Sequence, residues 1–65
     1  MEPWQAKVVV EREELREKIQ KLVRYLYSEK TLALSHTHVK LLREQLATMT
    51  KYEEILTTRL DTPHP

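Results

Sequence analysis

The 65-residue sequence contains no cysteine and no glycine. Without cysteine the chain can form neither a disulfide nor a thiolate metal site, which are common ways of stabilising so small a protein. Without glycine a fold rich in tight turns is disfavoured, because such turns need residues that adopt positive φ freely. The glycine-rich phosphate loops of nucleotide hydrolases are excluded as well. A helical hairpin requires none of these features.

The sequence also lacks a large net charge and a long apolar run. Lys and Arg number 11 and Asp and Glu number 10, so the formal net charge is +1. Proteins that bind long nucleic acid usually carry a marked basic excess. No apolar stretch approaches the roughly 20 residues of a membrane helix, and the N-terminus lacks a signal-peptide pattern. We therefore expect one cytosolic domain over residues 1–65, with neither long nucleic acid nor a membrane as its partner.

The first half of the chain has the apolar spacing of an α-helix. One stripe consists of Val8, Leu15, Ile19, Leu22 and Leu26. Pro3 suits the first helical turn, so the pattern predicts a helix over residues 3–27. The three valines at 8–10 are typical of a strand. We reject that interpretation because their flanks are charged helix formers and a lone strand would have no partner.

The second half has a matching stripe. It consists of Val39, Leu42, Leu46, Met49, Leu56 and Leu60. This pattern predicts a helix over residues 36–60, ended by Pro63 and followed by a tail over 61–65. The fold class is therefore all-α, with two antiparallel helices forming a hairpin.

The predicted connection covers residues 28–35. Ser28 can cap a short helical turn, and Ser35 is a favourable N-cap for the second helix. Leu32 and Leu34 are expected to close the end of the hairpin.

Further apolar residues lie off the two stripes. They are Val9, Val23 and Tyr27 in the first helix and Leu41, Tyr52 and Ile55 in the second. A two-helix hairpin has only one internal interface, so these positions form a second apolar face. We expect copies of the chain to assemble and cover it.

Residues that could support catalysis or bind metal are poorly arranged. His36 and His38 are two apart and do not share a helix face, and no third ligand is apparent. The glutamates are expected to be solvated on the outer face: Glu11, Glu13, Glu14, Glu17, Glu53 and Glu54. Nothing in the pattern desolvates a carboxylate pair, as acid–base catalysis would require. We expect no enzyme activity, no cofactor and no metal site.

Trp4, the only tryptophan, has two possible roles. It can anchor the N-terminus on a neighbouring helix, or it can stack on a base while Lys7 meets a phosphate. Gln5 lies beside both. The cations Arg12, Arg16, Arg24, Lys51 and Arg59 are expected on the surface, where rotational symmetry in an oligomer would bring copies of one cation together.

Two segments carry a family resemblance. The first comprises Trp4-Gln5-Ala6-Lys7-Val8-Val9, Glu11, Leu15, Lys18-Ile19 and Lys21-Leu22. The second comprises Leu41-Leu42, Glu44-Gln45-Leu46, Met49, Tyr52, Ile55-Leu56 and Arg59-Leu60. With these segments, nearly the whole chain resembles the helical hairpin domain shared by phage anti-CBASS and anti-Thoeris sponges, which include relatives from crAss-like phages.

The resemblance implies a homohexamer in the cytoplasm of an infected bacterial host. It would sequester cyclic di- and trinucleotide second messengers of CBASS-type defence without degrading them. In the family an aromatic and a basic residue hold cyclic dinucleotides between subunits, and Trp4 and Lys7 are the nearest counterparts, with Gln5 adjacent. The better-studied branch has a tyrosine and a lysine there, in a different local sequence. Arg59 matches a basic residue that contacts cyclic trinucleotides near a threefold axis.

An alternative function belongs to another class. The chain could be a non-enzymatic helical adaptor or a structural phage protein whose apolar faces bind another protein. Stabilisation by cyclic nucleotides would discriminate the two functions, because only a sponge binds them.

Overall fold

A computed structural model describes residues 1–63, and over this range it contains two α-helices and no strand. Helix α1 spans Pro3–Leu26 and helix α2 spans His36–Asp61. A short 3₁₀ turn, Glu29–Ala33, lies between them. The all-α prediction is confirmed, and the valine run at 8–10 is helical.

Both helices begin at the predicted residues, and the C-terminal end of each differs from the prediction by one residue. Tyr27 is the C-cap of α1, and its backbone N–H donates to the Val23 carbonyl oxygen at 3.1 Å. Helix α2 continues to Asp61, so this residue does not belong to the predicted tail. Thr62 is extended, as expected for a residue that precedes proline. Residues 64 and 65 of that tail lie outside the described residues.

The connection agrees with the prediction at Ser35 and departs from it at Leu32, while Ser28 stands at the N-cap position of the predicted short turn without a capping hydrogen bond from its side chain. Ser35 caps α2, since its hydroxyl accepts the His38 backbone N–H at 3.1 Å. The Ser28 hydroxyl instead donates back to the Tyr25 carbonyl oxygen, at 2.7 Å. Leu32 is 84% exposed, so the expectation that it closes the hairpin end is wrong. A 3₁₀ turn repeats every three residues, and the half-buried residues of the connection are Ser28, Thr31 and Leu34.

The two helices run antiparallel. Arg12 contacts Thr57 and Arg16 contacts Glu53, so a step of four residues forward on α1 matches four residues backward on α2. The predicted stripes face each other, yet they bury little. Among residues 1–63 only Val8 and Leu56 are fully buried, and the other stripe residues are half-buried.

The hairpin is one layer thick and exposes more surface than a compact monomer. It measures 47 × 16 × 12 Å, and its accessible surface is 5349 Å². A folded monomer of this mass exposes about 4,400 Å². Tyr27, Leu32 and Leu41 are among the apolar side chains that contribute to this additional exposed surface. Neither helix, over the described residues, has the length and apolar character needed to cross a membrane.

Candidate functional site

The start of α1 and the end of α2 together form a cleft of about 480 Å³, called here the Trp4 cleft. Trp4 and Gln5 line one side, and residues 60–63 line the other. Pro3 occupies the first helical position, and Gln5 Oε1 accepts the Glu2 backbone N–H at 2.7 Å. These features fix the first turn of α1, on which Trp4 lies. The antiparallel pairing therefore brings distant parts of the sequence into one pocket.

The Trp4 cleft is acidic within a single chain. The indole N–H of Trp4 donates to Glu2 Oε2 at 2.8 Å, and Asp61 lines the opposite side. No Lys or Arg of the described part of the chain lines this cleft. Two carboxylates oppose the binding of a phosphate at short range. A phosphate held here must therefore meet cations from beyond the cleft.

The other two predicted ligand-binding residues lie near the Trp4 cleft but outside its lining. Lys7 is exposed one helical turn after Trp4, on the same side of α1. Arg59 is exposed and lines a separate groove along α2. Thr62 lines both the groove and the cleft, so the two are neighbours. The structure thus brings Trp4 and Gln5 together and leaves Lys7 and Arg59 at the margin.

A polar cluster that sequence reasoning missed links the middles of the helices. Arg16 Nε and Nη2 each lie 2.8 Å from Glu53 Oε1, and the Thr57 hydroxyl donates to the same oxygen at 3.1 Å. The Glu53 side chain is only 19% exposed, so the expectation of a solvated outer-face residue is wrong. The hydrogen bond from Arg16, aided by that from Thr57, lowers the pKa of Glu53 despite partial desolvation.

Arg12 belongs to the same cluster and is not an ordinary surface cation. Its side chain is 20% exposed, and Nη1 lies 3.4 Å from Thr57 Oγ1. Its Nε is buried without a hydrogen bond, 3.7 Å from Glu13 Oε1. Because this guanidinium is partly buried between the helices, Arg12 is less available to a ligand than the exposed cations are.

A second interhelical contact joins Tyr52 to Glu11. The phenol O–H donates to Glu11 Oε2, and this hydrogen bond is the main cause of a raised Tyr52 pKa. Glu11 is exposed, as expected for an outer-face residue, and the sequence did not predict its contact with Tyr52. Both residues are exposed, so the contact lies at the surface of the hairpin.

Within residues 1–63 the histidines and carboxylates form no metal-binding group. His36 and His38 are exposed at the start of α2. Across residues 1–63 no three His, Cys, Asp or Glu side chains are grouped so as to hold a metal ion. The expectation of a protein without metal or enzyme activity stays a prediction.

Comparison with known proteins identifies a family. A family model described as Sequestin matches residues 2–62, a range that includes both helices and every lining residue of the Trp4 cleft except Pro63. No curated protein and no solved structure matches the chain significantly. Because the family match covers nearly the whole sequence, the chain belongs to the Sequestin family.

Proposed function

We propose that this protein is a phage anti-immune sponge. It sequesters cyclic di- and trinucleotide second messengers of CBASS-type defence in the host cytoplasm and does not degrade them. The observation that carries the proposal is the family match over residues 2–62, because the description Sequestin denotes sequestration. The resemblance to phage cyclic-nucleotide sponges supplies the class of ligand.

Self-association is part of the proposal, and the outer face of α2 supports it. Leu41, Tyr52 and Ile55 are exposed and lie at helical spacing along one side. Arg59 continues the same line four residues after Ile55. If copies pack through this face into a hexamer, several Arg59 guanidinium groups approach a symmetry axis. Such a ring of cations suits the phosphates of a cyclic trinucleotide.

Assembly also explains how the Trp4 cleft could accept an anion. The indole ring offers a stacking surface for a base, while Glu2 and Asp61 disfavour the phosphates. Lys7 at the margin, together with cations of a neighbouring copy, would offset these carboxylates. A site between subunits therefore accommodates a small dianion better than the isolated hairpin does.

Thermal unfolding with a ligand panel tests the proposal. The panel contains cyclic dinucleotides, cyclic trinucleotides, the nucleotide signals of Thoeris systems and a linear dinucleotide as a control. A ligand present at a thousand times its Kd should stabilise the protein by about 4 kcal/mol. That corresponds to a melting shift well above 5 °C for a chain of this size. No shift with any nucleotide would favour the adaptor function.

Variants then locate the sites. Trp4→Ala and Lys7→Ala should remove the dinucleotide shift while the oligomer persists, and Arg59→Ala should remove only the trinucleotide shift. Lys18→Ala, which deletes an exposed cation far from the cleft, is the matched control. If Trp4→Ala dissociates the oligomer instead, Trp4 is an anchor and not a stacking platform.

A further inference from the structure

The end of the hairpin opposite the Trp4 cleft is called here the distal pole. Its surface has two depressions. One is a cleft of about 440 Å³ whose lining includes Leu32, Leu34, Lys40 and Arg43. The other is a groove of about 280 Å³ whose lining includes Tyr27 and again Arg43. Arg43 therefore stands between the two depressions and can serve both.

The distal pole has uncompensated positive charge. Lys40 and Arg43 are one turn apart on α2, and both are exposed. Within residues 1–63 neither makes an ion pair or a hydrogen bond. No Asp or Glu of the described chain lines either depression. This is the reverse of the Trp4 cleft, where two carboxylates and no cation form the lining.

The same pole exposes flat apolar surface beside these cations. In the single hairpin Tyr27 is 89% exposed, as much as Met1, and Leu32 is 84% exposed; no other large apolar side chain of the described residues is as exposed. A phenol ring that faces solvent next to a guanidinium can stack on a base while the cation meets a phosphate. Charge complementarity and the exposed ring select the same class of ligand, a phosphorylated compound with a planar ring.

We propose that the distal pole is a further nucleotide-binding site, separate from the Trp4 cleft and the Arg59 groove, in which Arg43 and Lys40 contact phosphate oxygens and Tyr27 stacks on a base. The inference rests on the proposed function for the class of ligand. The inference differs from the proposed function in location. It places the ligand about one helix length away from Trp4, at residues to which the family resemblance assigns no role.

The single tryptophan allows each end of the hairpin to be monitored separately. In the unmodified protein, quenching of fluorescence reports the Trp4 cleft. In the double variant Trp4→Phe/Tyr27→Trp, the tryptophan at position 27 reports the distal pole. Cyclic di-AMP and cyclic tri-AMP serve as probes, and each is titrated into both proteins.

The expected result is saturable quenching of the distal reporter by at least one probe. Adding Arg43→Gln should weaken that quenching about tenfold or more, because a charged hydrogen bond to phosphate is lost. Arg43→Lys should keep most of the affinity. Lys18→Gln, which removes one exposed charge from the middle of α1, should leave the distal Kd unchanged. Circular dichroism at 222 nm identifies any variant that fails to fold.

The outcomes separate this inference from the proposed function. Quenching of Trp4 alone would overturn the distal site and leave the sponge function standing. An unchanged distal Kd in the Arg43→Gln variant would also overturn the site. Absence of quenching at the distal reporter with both probes would overturn the distal site, whatever happens at Trp4. The sponge function, which includes the Arg59 groove, is tested separately by the thermal-shift panel.

Discussion

Truncation of Leu56 should remove a large share of the stability of the hairpin. Its side chain is 0% exposed, the lowest value in the described chain. Leu→Ala substitutions in cores cost about 2–5 kcal/mol, and the cost falls where the surroundings can relax. The other stripe residues here are only half-buried, so we expect the lower half of that range, about 2–3 kcal/mol. A domain of this length has roughly 3–10 kcal/mol of total stability.

Urea unfolding followed by circular dichroism at 222 nm measures this loss. Wild type and Leu56→Ala are compared at one protein concentration, and the free energy of unfolding is obtained by linear extrapolation. Leu32→Ala is the matched control, because Leu32 is 84% exposed and its truncation should cost less than about 0.5 kcal/mol. Equal costs for the two variants would refute the pairing of the stripes.

Three further predictions concern the interhelical cluster, the helix cap and the outer face. Because the folded-state pKa of Glu53 lies below its ordinary value of 4.5, its contribution to stability is complete above that pH and is lost as the pH falls through the folded pKa. The melting temperature of wild type should therefore exceed that of Glu53→Gln at pH 7, and this difference in melting temperature should shrink below pH 4.5. A difference that widens in acid would contradict the contact between Arg16 and Glu53. Ser35→Ala should lower the free energy of unfolding by about 1 kcal/mol in urea titration, because the cap of α2 is lost; an unchanged midpoint would show that the cap contributes nothing. In sedimentation velocity the chain of 7.8 kDa should run as a multiple of that mass, and charges introduced by Leu41→Glu and Ile55→Glu should dissociate it; a wild type that sediments as one folded chain contradicts assembly.

Much of the fold could be predicted because local rules agree along the chain. The apolar stripes at helical spacing gave two helices, Ser35 marked the start of α2, and Pro63 marked its end. The errors lie where local rules compete. Leu32 was expected inside because it is apolar, but the three-residue period of the 3₁₀ turn directs it outward.

The candidate site was less predictable, because it depends on the register between the helices. Trp4 and Gln5 were identified as candidates, but their proximity to Asp61 and the resulting acidity of the cleft follow only from the pairing. The polar cluster did leave a signal in the sequence. Arg12 and Arg16 are four apart, as are Glu53 and Thr57, and two such pairs face each other in an antiparallel hairpin.

The distal pole could not be predicted from the sequence for a similar reason. Tyr27 is the C-cap of α1 and Arg43 lies in α2, 16 residues further along the chain. Sequence reasoning assigned Tyr27 to an apolar face only. The hairpin turn brings both into the lining of one groove. The absence of an acidic partner there is a property of the folded arrangement and could not be derived from a sequence whose overall charge is balanced.

The most direct test of sequestration is to measure whether the protein retains a cyclic nucleotide and releases it intact. The purified protein is equilibrated with a cyclic nucleotide across a dialysis membrane, then heated to unfold it, and the released compound is identified by chromatography and mass. The account predicts enrichment on the protein side and release of the intact cyclic nucleotide. Equal concentrations on both sides with every CBASS-type signal, or release of a cleaved product, would contradict it.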